Sequence, residues 1–237
     1  MVYGDVPMKI ELKIKMLDQI YDLFEGFART QNSVCRRRCA TCCTCNVTLT
    51  TLEGYRIISD MDASAKTTLL RRIDRAANRQ RFQPRLTINQ IAYHCMVNQE
   101  IPQDINDPSG GPCPLLTHQE CLIYRVRPFA CRCMMSKTIC AQSGYAEMDD
   151  AVLTIANLFN QFIEHLDRGG MTGNLIDILL FLAEPSNFDI FQSGTTVIEA
   201  SQLIPNQRIP VVMVPPEHRP RVAPLLASLR KILSPLP

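Results

Sequence analysis

Ten of the eleven cysteines in this 237-residue chain fall into two short segments. Residues 35–45 contain five thiols, and residues 113–140 contain another five. Thiolates that coordinate a metal ion or cluster have to be grouped in this way, whereas cysteines that only pack in a core are scattered. The cysteine distribution therefore predicts a metal-binding protein.

The N-terminal sequence and the cysteine count indicate where in the cell the protein works and whether its thiols are reduced. Residues 1–12 carry Asp5, Lys9 and Glu11 and lack the apolar run and cleavage site of a secretory leader. No apolar stretch approaches the ~18 residues that span a bilayer, since the best candidate, 175–183, is far shorter. We expect a cytoplasmic protein without a membrane span, in which eleven thiols indicate metal binding rather than disulfides.

The spacing Cys35-x3-Cys39-x2-Cys42 lets one looped segment present three thiolates to one face of a compact inorganic centre. Cys43 directly follows Cys42, and both cannot bind one tetrahedral ion without strain. One of the two is therefore expected to serve a second centre or to close a site with the distal thiols. The predicted metal ligands are Cys35, Cys39, Cys42, Cys43, Cys113, Cys121, Cys131 and Cys140, enough for two four-sulfur sites or for one site with spare thiols.

Three cysteines are left outside this ligand set. Cys45 and Cys133 are predicted to be packing residues that could substitute for a ligand. Cys95 shares the apolar face of a predicted helix and is expected to be buried there. His118, between Cys113 and Cys121, is an alternative ligand.

The formal net charge is only +2, but arginines are concentrated among the cysteines. Guanidinium groups offset the negative charge of a thiolate site, so Arg127 and Arg132 are candidate cofactor-binding residues. The spacing and these arginines favour a [4Fe–4S] cluster over Zn²⁺. Binding to nucleic acid is not expected, since the five arginines of a predicted helix over 64–81 lack interleaved aromatic residues and indicate a solvated face.

Apolar periodicity predicts a mainly α fold with few short strands, in which irregular cysteine-rich loops converge on the metal site. Residues 1–145 would form a cysteine-cluster domain, and residues 146–237 a helical extension packed on it. A glycine-containing loop over 101–112 would deliver the second thiol group, and residues 211–214 are a candidate strand. The predicted helices cover about 8–27, 52–61, 64–81, 88–98, 148–166, 175–182 and 222–233.

The joined motifs resemble the YkgJ-type cysteine-cluster family, which is described as zinc- or iron-chelating. The resemblance is carried by Cys35-x3-Cys39-x2-Cys42-Cys43, by Cys113-Pro114, and by Cys121-x-Ile123-Tyr124-x2-Arg127-Pro128-x2-Cys131-Arg132. That family includes flagellin lysine N-methylases, so the resemblance implies S-adenosylmethionine as a cofactor and a protein substrate. This sequence differs by adding Cys45 and Cys133 and by lacking a proline soon after Arg132.

Three functions remain in competition. The first is a protein that binds an iron–sulfur cluster or zinc for a structural, redox or assembly role. The second is an S-adenosylmethionine-dependent protein lysine methyltransferase, as the resemblance implies. The third is a zinc-stabilised interaction module that uses the arginine-rich helix.

Overall fold

The computed structural model describes residues 8–104, 110–194, 200 and 202–236. The fold is mainly α, as predicted, with a few short strands. Residues 1–7, to which the prediction about a secretory leader partly refers, and residues 105–109 of the loop over 101–112 lie outside the described residues. The α-helices are α1 (Ile10–Ala28), α2 (Thr51–Ser59), α3 (Ala63–Ala76), α4 (Ile88–Met96), α5 (Phe129–Arg132), α6 (Cys140–Ser143), α7 (Asp150–Leu166), α8 (Leu175–Ala183), α9 (Pro185–Gln192) and α10 (Arg219–Leu233). The strands are β1 (Thr48–Thr50), β2 (Leu116–Thr117), β3 (Glu120–Cys121), β4 (Met171–Asn174) and β5 (Ile204–Pro205).

Local capping chemistry starts three of these helices where the sequence predicts. Thr50 and Glu53 form a complete capping box at the start of α2, and Thr87 and Gln90 form another at α4. The Asp62 side chain accepts a hydrogen bond from an amide in the first turn of α3. These side chains satisfy amides that have no partner within the helix, which is why the helix starts are predictable.

Two predictions about secondary structure are wrong. Helix α3 ends at Ala76 rather than near residue 81, so the last two arginines of the predicted face lie outside it. Residues 211–214 form no strand. Their backbone groups pair instead with one side chain, since Gln161 donates to the Val211 carbonyl and accepts from the Met213 amide. The chain therefore needs no neighbouring strand there.

A small antiparallel sheet joins distant parts of the chain in the order β1-β4-β5. Thr48–Thr50 pairs with Thr172–Asn174, so a strand just after the first thiol segment is held by one from the C-terminal half. A two-stranded hairpin, β2-β3, lies within the second thiol segment. Pairing with β4 therefore holds the chain in place where it leaves the first thiol segment, and the hairpin sets the backbone conformation within the second thiol segment.

The core is built around three phenylalanines from three different helices. Phe24 of α1, Phe129 of α5 and Phe159 of α7 are fully buried, and their ring centroids lie 4.7 to 5.7 Å apart. Aromatic rings at this spacing add specific packing energy to the burial of their apolar area. Among the described helices, none has both the length and the apolar content needed to cross a bilayer.

Candidate functional site

The two thiol segments are joined by backbone hydrogen bonds. The Cys113 amide donates to the Cys43 carbonyl at 2.9 Å, and the Cys45 amide donates to the Gly111 carbonyl at 3.0 Å. Gly111 has a positive φ of 79°, which favours glycine. A β carbon at Gly110 would overlap the Gln80 carbonyl oxygen. The glycines therefore permit close backbone packing. At Gly111 the contact to the first thiol segment is made by the carbonyl group, not by the amide.

A second junction lies at the start of the first thiol segment. The Val34 amide donates to the Ser136 carbonyl at 2.8 Å, and the Ser136 amide donates to the Cys35 sulfur at 3.2 Å. These two bonds hold the start of the first thiol segment against the chain at Ser136. Ser136 was not singled out from the sequence, since no motif marks it.

Eight cysteines line one cavity of about 820 Å³ that is open to solvent. Seven of them belong to the predicted ligand set, and the eighth is Cys133, which was predicted to pack. Cys140 does not line the cavity: it is buried, and its sulfur lies 4.0 Å from the Thr138 carbonyl. The lining cysteines are Cys35, Cys39, Cys42, Cys43, Cys113, Cys121, Cys131 and Cys133.

Short elements place the distal thiols. Cys121 lies in β3 opposite Leu116 of β2. Cys131 lies in α5, and Cys133 immediately follows that helix, with its amide bonded to the Phe129 carbonyl. The hairpin and α5 thus deliver two sequence-distant thiols to one cavity without the close spacing of a zinc knuckle.

The adjacent thiols Cys42 and Cys43 are differentiated electrostatically. The Cys42 thiol donates a hydrogen bond to the Cys43 sulfur, which lowers the pKa of Cys43 and raises that of Cys42. Hydrogen bonding to the charged form favours ionisation. Cys43 is therefore the readier of the two to act as a thiolate ligand.

Three of the distal thiols have raised pKa values. Burial raises the pKa of Cys113 to about 11 and raises the pKa values of Cys121 and Cys131. Charge on Cys113 and Cys121 raises the pKa of Cys131 further, because like charges close together disfavour ionisation. A bound cation would remove this repulsion, because it stabilises the thiolate form of each ligand.

The cysteines share one cavity, but this does not by itself give them the geometry of a metal site. Among the described residues, no three His, Cys, Asp or Glu side chains are placed so that they would hold a metal ion. Several cysteines in one cavity suit a metal that prefers sulfur ligands. The described side chains are not, however, spaced as they would be around a bound metal.

The two candidate cofactor-binding arginines both make contacts within the protein. Arg132 is almost fully buried, forms an ion pair with Glu25, and lies 4.2 Å from the Tyr21 ring centroid. Arg127 lies 4.2 Å from the Tyr124 ring centroid and donates to the Tyr124 carbonyl. Both line the cavity, and their guanidinium groups also fix the turn that carries Cys131.

One acidic residue that supports the thiol segment was missed as a site residue. The buried Glu53 carboxylate accepts from the Phe129 amide and the Tyr21 hydroxyl, each at 2.7 Å, and from the Thr50 amide at 2.9 Å. Phe129 begins α5, so Glu53 ties α2 to the helix that contains Cys131. The contact with Thr50 is local and belongs to the capping box, whereas no sequence signal marks the contact to Phe129.

Other predicted residues lie away from the cavity lining. Cys95 is exposed, so its predicted burial is wrong; Asn89 and Ala92 form the buried side of α4 instead. His118 is in an exposed turn with a positive φ and is not among the cavity-lining residues. Cys45 is buried and donates to the Pro112 carbonyl.

The arginines of the predicted 64–81 face are largely engaged in the fold. Arg72 donates to the Thr117 hydroxyl, and Arg79 donates to the Pro112 carbonyl. Arg81 forms a buried ion pair with Asp177. Only Arg71 and Arg75 of this set are exposed helix residues without such contacts in the described part of the chain.

Comparison with known proteins identifies no family. No family model matches the chain, and no solved structure matches it. Proteinaceous RNase P 1, chloroplastic/mitochondrial, from Arabidopsis thaliana is 29% identical over 102 residues, which covers 39% of this chain. The match spans 17% of that plant protein's length. At this coverage the similarity identifies neither a fold nor an activity.

Proposed function

We propose that this chain is a metal-binding cysteine-cluster protein. The observation that carries the proposal is the convergence of eight cysteines from two distant segments on one cavity. Thiolates select soft or borderline centres, of which zinc and iron–sulfur clusters are the common intracellular examples. The Cys35-x3-Cys39-x2-Cys42 spacing favours a [4Fe–4S] cluster. A reducing cytoplasm would keep these thiols available, and a protein partner or substrate would approach the open side of the cavity.

Metal analysis of anaerobically purified protein tests the proposal. Brown protein that absorbs broadly near ~400 nm and bleaches with dithionite contains an iron–sulfur cluster, whereas colourless protein with stoichiometric zinc contains a zinc site. Protein that is folded but holds neither metal, even after anaerobic reconstitution, contradicts the proposal.

Single substitutions test the ligand assignment. Cys39→Ser and Cys121→Ser are expected to lower the metal content, because both thiols line the cavity. Cys95→Ser is the matched control, since this thiol is exposed and outside the lining. Full retention of metal by both ligand variants would show that the assignment is wrong. Cys133→Ala and Cys140→Ala, compared in the same way, decide which of the two is the eighth ligand.

The other two functions remain predictions. The lysine methyltransferase rests on the family resemblance, and no contact among the described residues singles it out. The interaction module rests on the arginine-rich face, of which three members are engaged within the fold.

A further inference from the structure

The thiols occupy only part of the cavity wall. A volume of about 820 Å³ lies within the range of pockets that hold small organic molecules, roughly 300–1,000 Å³, and it far exceeds the space that a metal ion needs. The remaining lining includes apolar side chains, among them Val47, Leu115 and Leu175. This cavity therefore has room, and an apolar surface, for a second ligand beside the thiols.

The charges of the lining favour an anion. Six arginines and two glutamates line the cavity. Both glutamates are already paired, since Glu25 binds Arg132, and Glu120 binds Arg38 at 2.9 Å and lies 3.8 Å from Arg37. The wall thus carries a positive excess that the protein's own carboxylates do not neutralise.

Arg36 and Arg37 supply the most accessible part of this excess. The Arg36 side chain has no ion pair or hydrogen bond within the described part of the chain, and Arg37 has only the 3.8 Å contact with Glu120 and a position 5.5 Å from the Tyr124 ring centroid. Guanidinium groups match carboxylate and phosphate oxygens in geometry and charge. Two adjacent arginines with spare donors are suited to hold one such group.

An uncommitted amide is present elsewhere in the cavity wall. Asn160 of α7 lines the cavity, and its side chain makes no hydrogen bond within the described residues. The neighbouring Asn157 is exposed on the same helix and outside the lining. A free polar group in a partly apolar cavity is a typical orienting contact for a ligand.

We propose that this cavity binds a small organic anion beside the thiols, with its carboxylate or phosphate group on Arg36 and Arg37 and its apolar body against the lining that includes Leu115 and Leu175. Asn160 supplies a polar contact in the same wall. Arg36 and Arg37 lie between Cys35 and Cys39, two of the predicted metal ligands, so metal content has to be measured beside anion binding. The proposal itself requires no particular metal.

Three matched probes test the proposal by calorimetry on the purified 237-residue chain: hexanoate, hexyl phosphate and hexanol. The two anions are expected to bind about tenfold more tightly than the alcohol, because only they can form charge-assisted hydrogen bonds. The tighter of the two anions identifies the preferred head group. Equal affinity for all three probes, or no binding of either anion, overturns the proposal.

Two pairs of variants locate the binding. Arg36→Gln/Arg37→Gln is expected to weaken anion binding about tenfold, while Arg71→Gln/Arg75→Gln removes the same charge from exposed positions of α3 and should change it less than about twofold. Asn160→Asp places a negative charge in the wall and should weaken binding about fivefold, with Asn157→Asp as its control. Equal losses in a variant and its control overturn the assignment. Metal content measured in the same samples shows separately whether the thiol site is retained.

Discussion

Two buried carboxylates stabilise helix starts from the opposite half of the chain. Glu164 of α7 accepts from the Ile88 and Asn89 amides, each at 2.8 Å, at the start of α4. Asp167 accepts from the Leu52 amide at 3.1 Å at the start of α2. Amides in the first turn of a helix have no intrahelical partner, so the oxygens of these carboxyl groups supply hydrogen bonds that the helices lack.

The protonation of these carboxylates makes stability depend on pH. Burial raises the pKa of Asp167 to about 7 and that of Glu164 to about 7, against about 4 for an unfolded carboxyl group. Since the folded group keeps its proton to a higher pH, its stabilisation is complete below about pH 4 and is lost as the pH rises toward about 7. Between pH 5 and 7.5 the unfolding free energy of the wild type should fall by roughly 2–3 kcal/mol more than that of Asp167→Asn, because the amide side chain cannot ionise.

Urea unfolding at several pH values measures this difference. Glu164→Gln should reduce the pH dependence in the same direction. Parallel curves of unfolding free energy against pH for wild type and Asp167→Asn would contradict the assignment.

Local chemistry explains which single residues were predictable. The capping boxes at Thr50 and Thr87 depend on side chains three residues away, so they can be recognised in the sequence. The burial of Cys95 was predicted wrongly, because the packing partner of α4 is α7, and its Gln161 carbonyl accepts from Asn89. A polar residue thus occupies the buried face, which apolar periodicity alone does not indicate.

At the scale of elements, Glu53 connects α2 to the short helix that contains Cys131. One oxygen of Glu53 accepts from the Phe129 amide and the other accepts from the Thr50 amide. Glu53→Gln keeps one of these oxygens and replaces the other with an NH2 group, so one of the two amides loses its acceptor. We expect a loss of about 2–3 kcal/mol in unfolding free energy, because a buried donor is left without a partner. Metal retention should also fall, since α5 positions Cys131.

Tyr21→Phe is the matched control for this substitution. It removes one hydrogen bond to the same carboxylate and should cost only about 1 kcal/mol, with the metal content unchanged. Chemical denaturation and metal analysis give the two readouts. Equal effects of the two variants on metal retention would show that Glu53 does not position α5.

The elements themselves were largely predictable, but their junctions were not. The long helices α1 and α7 and the shorter, strongly apolar helix α8 follow from the pattern of apolar residues. The junction of Cys43 with Cys113 and the order β1-β4-β5 depend on pairings between residues far apart in the sequence. The convergence of the thiols was inferred from the chemical need for several ligands, and the exchange of Cys133 for Cys140 in the cavity lining could not be inferred in that way.

At the scale of the whole molecule, the C-terminal half completes the polar contacts of the cysteine-containing half. Besides the carboxylates of α7, Asn174 donates to the Cys45 carbonyl at 2.7 Å and to the Phe82 carbonyl at 3.1 Å. Strand β4 pairs with β1, and Phe159 completes the aromatic core. The predicted boundary near residue 145 therefore separates groups that share one core and one set of hydrogen bonds.

A chain of residues 1–145 tests that boundary, since it keeps all eleven cysteines but lacks α7, β4 and α8. Each buried backbone group that loses its partner costs about 1–3 kcal/mol, and several such losses together exceed a typical domain stability of about 5–15 kcal/mol once the aromatic core is also opened. We expect the fragment to show no cooperative unfolding by circular dichroism and to hold little metal. Co-expression with residues 146–237 should restore both properties, because the missing partners are then supplied in trans. A fragment 1–145 that unfolds cooperatively and retains metal by itself would instead establish an independent domain.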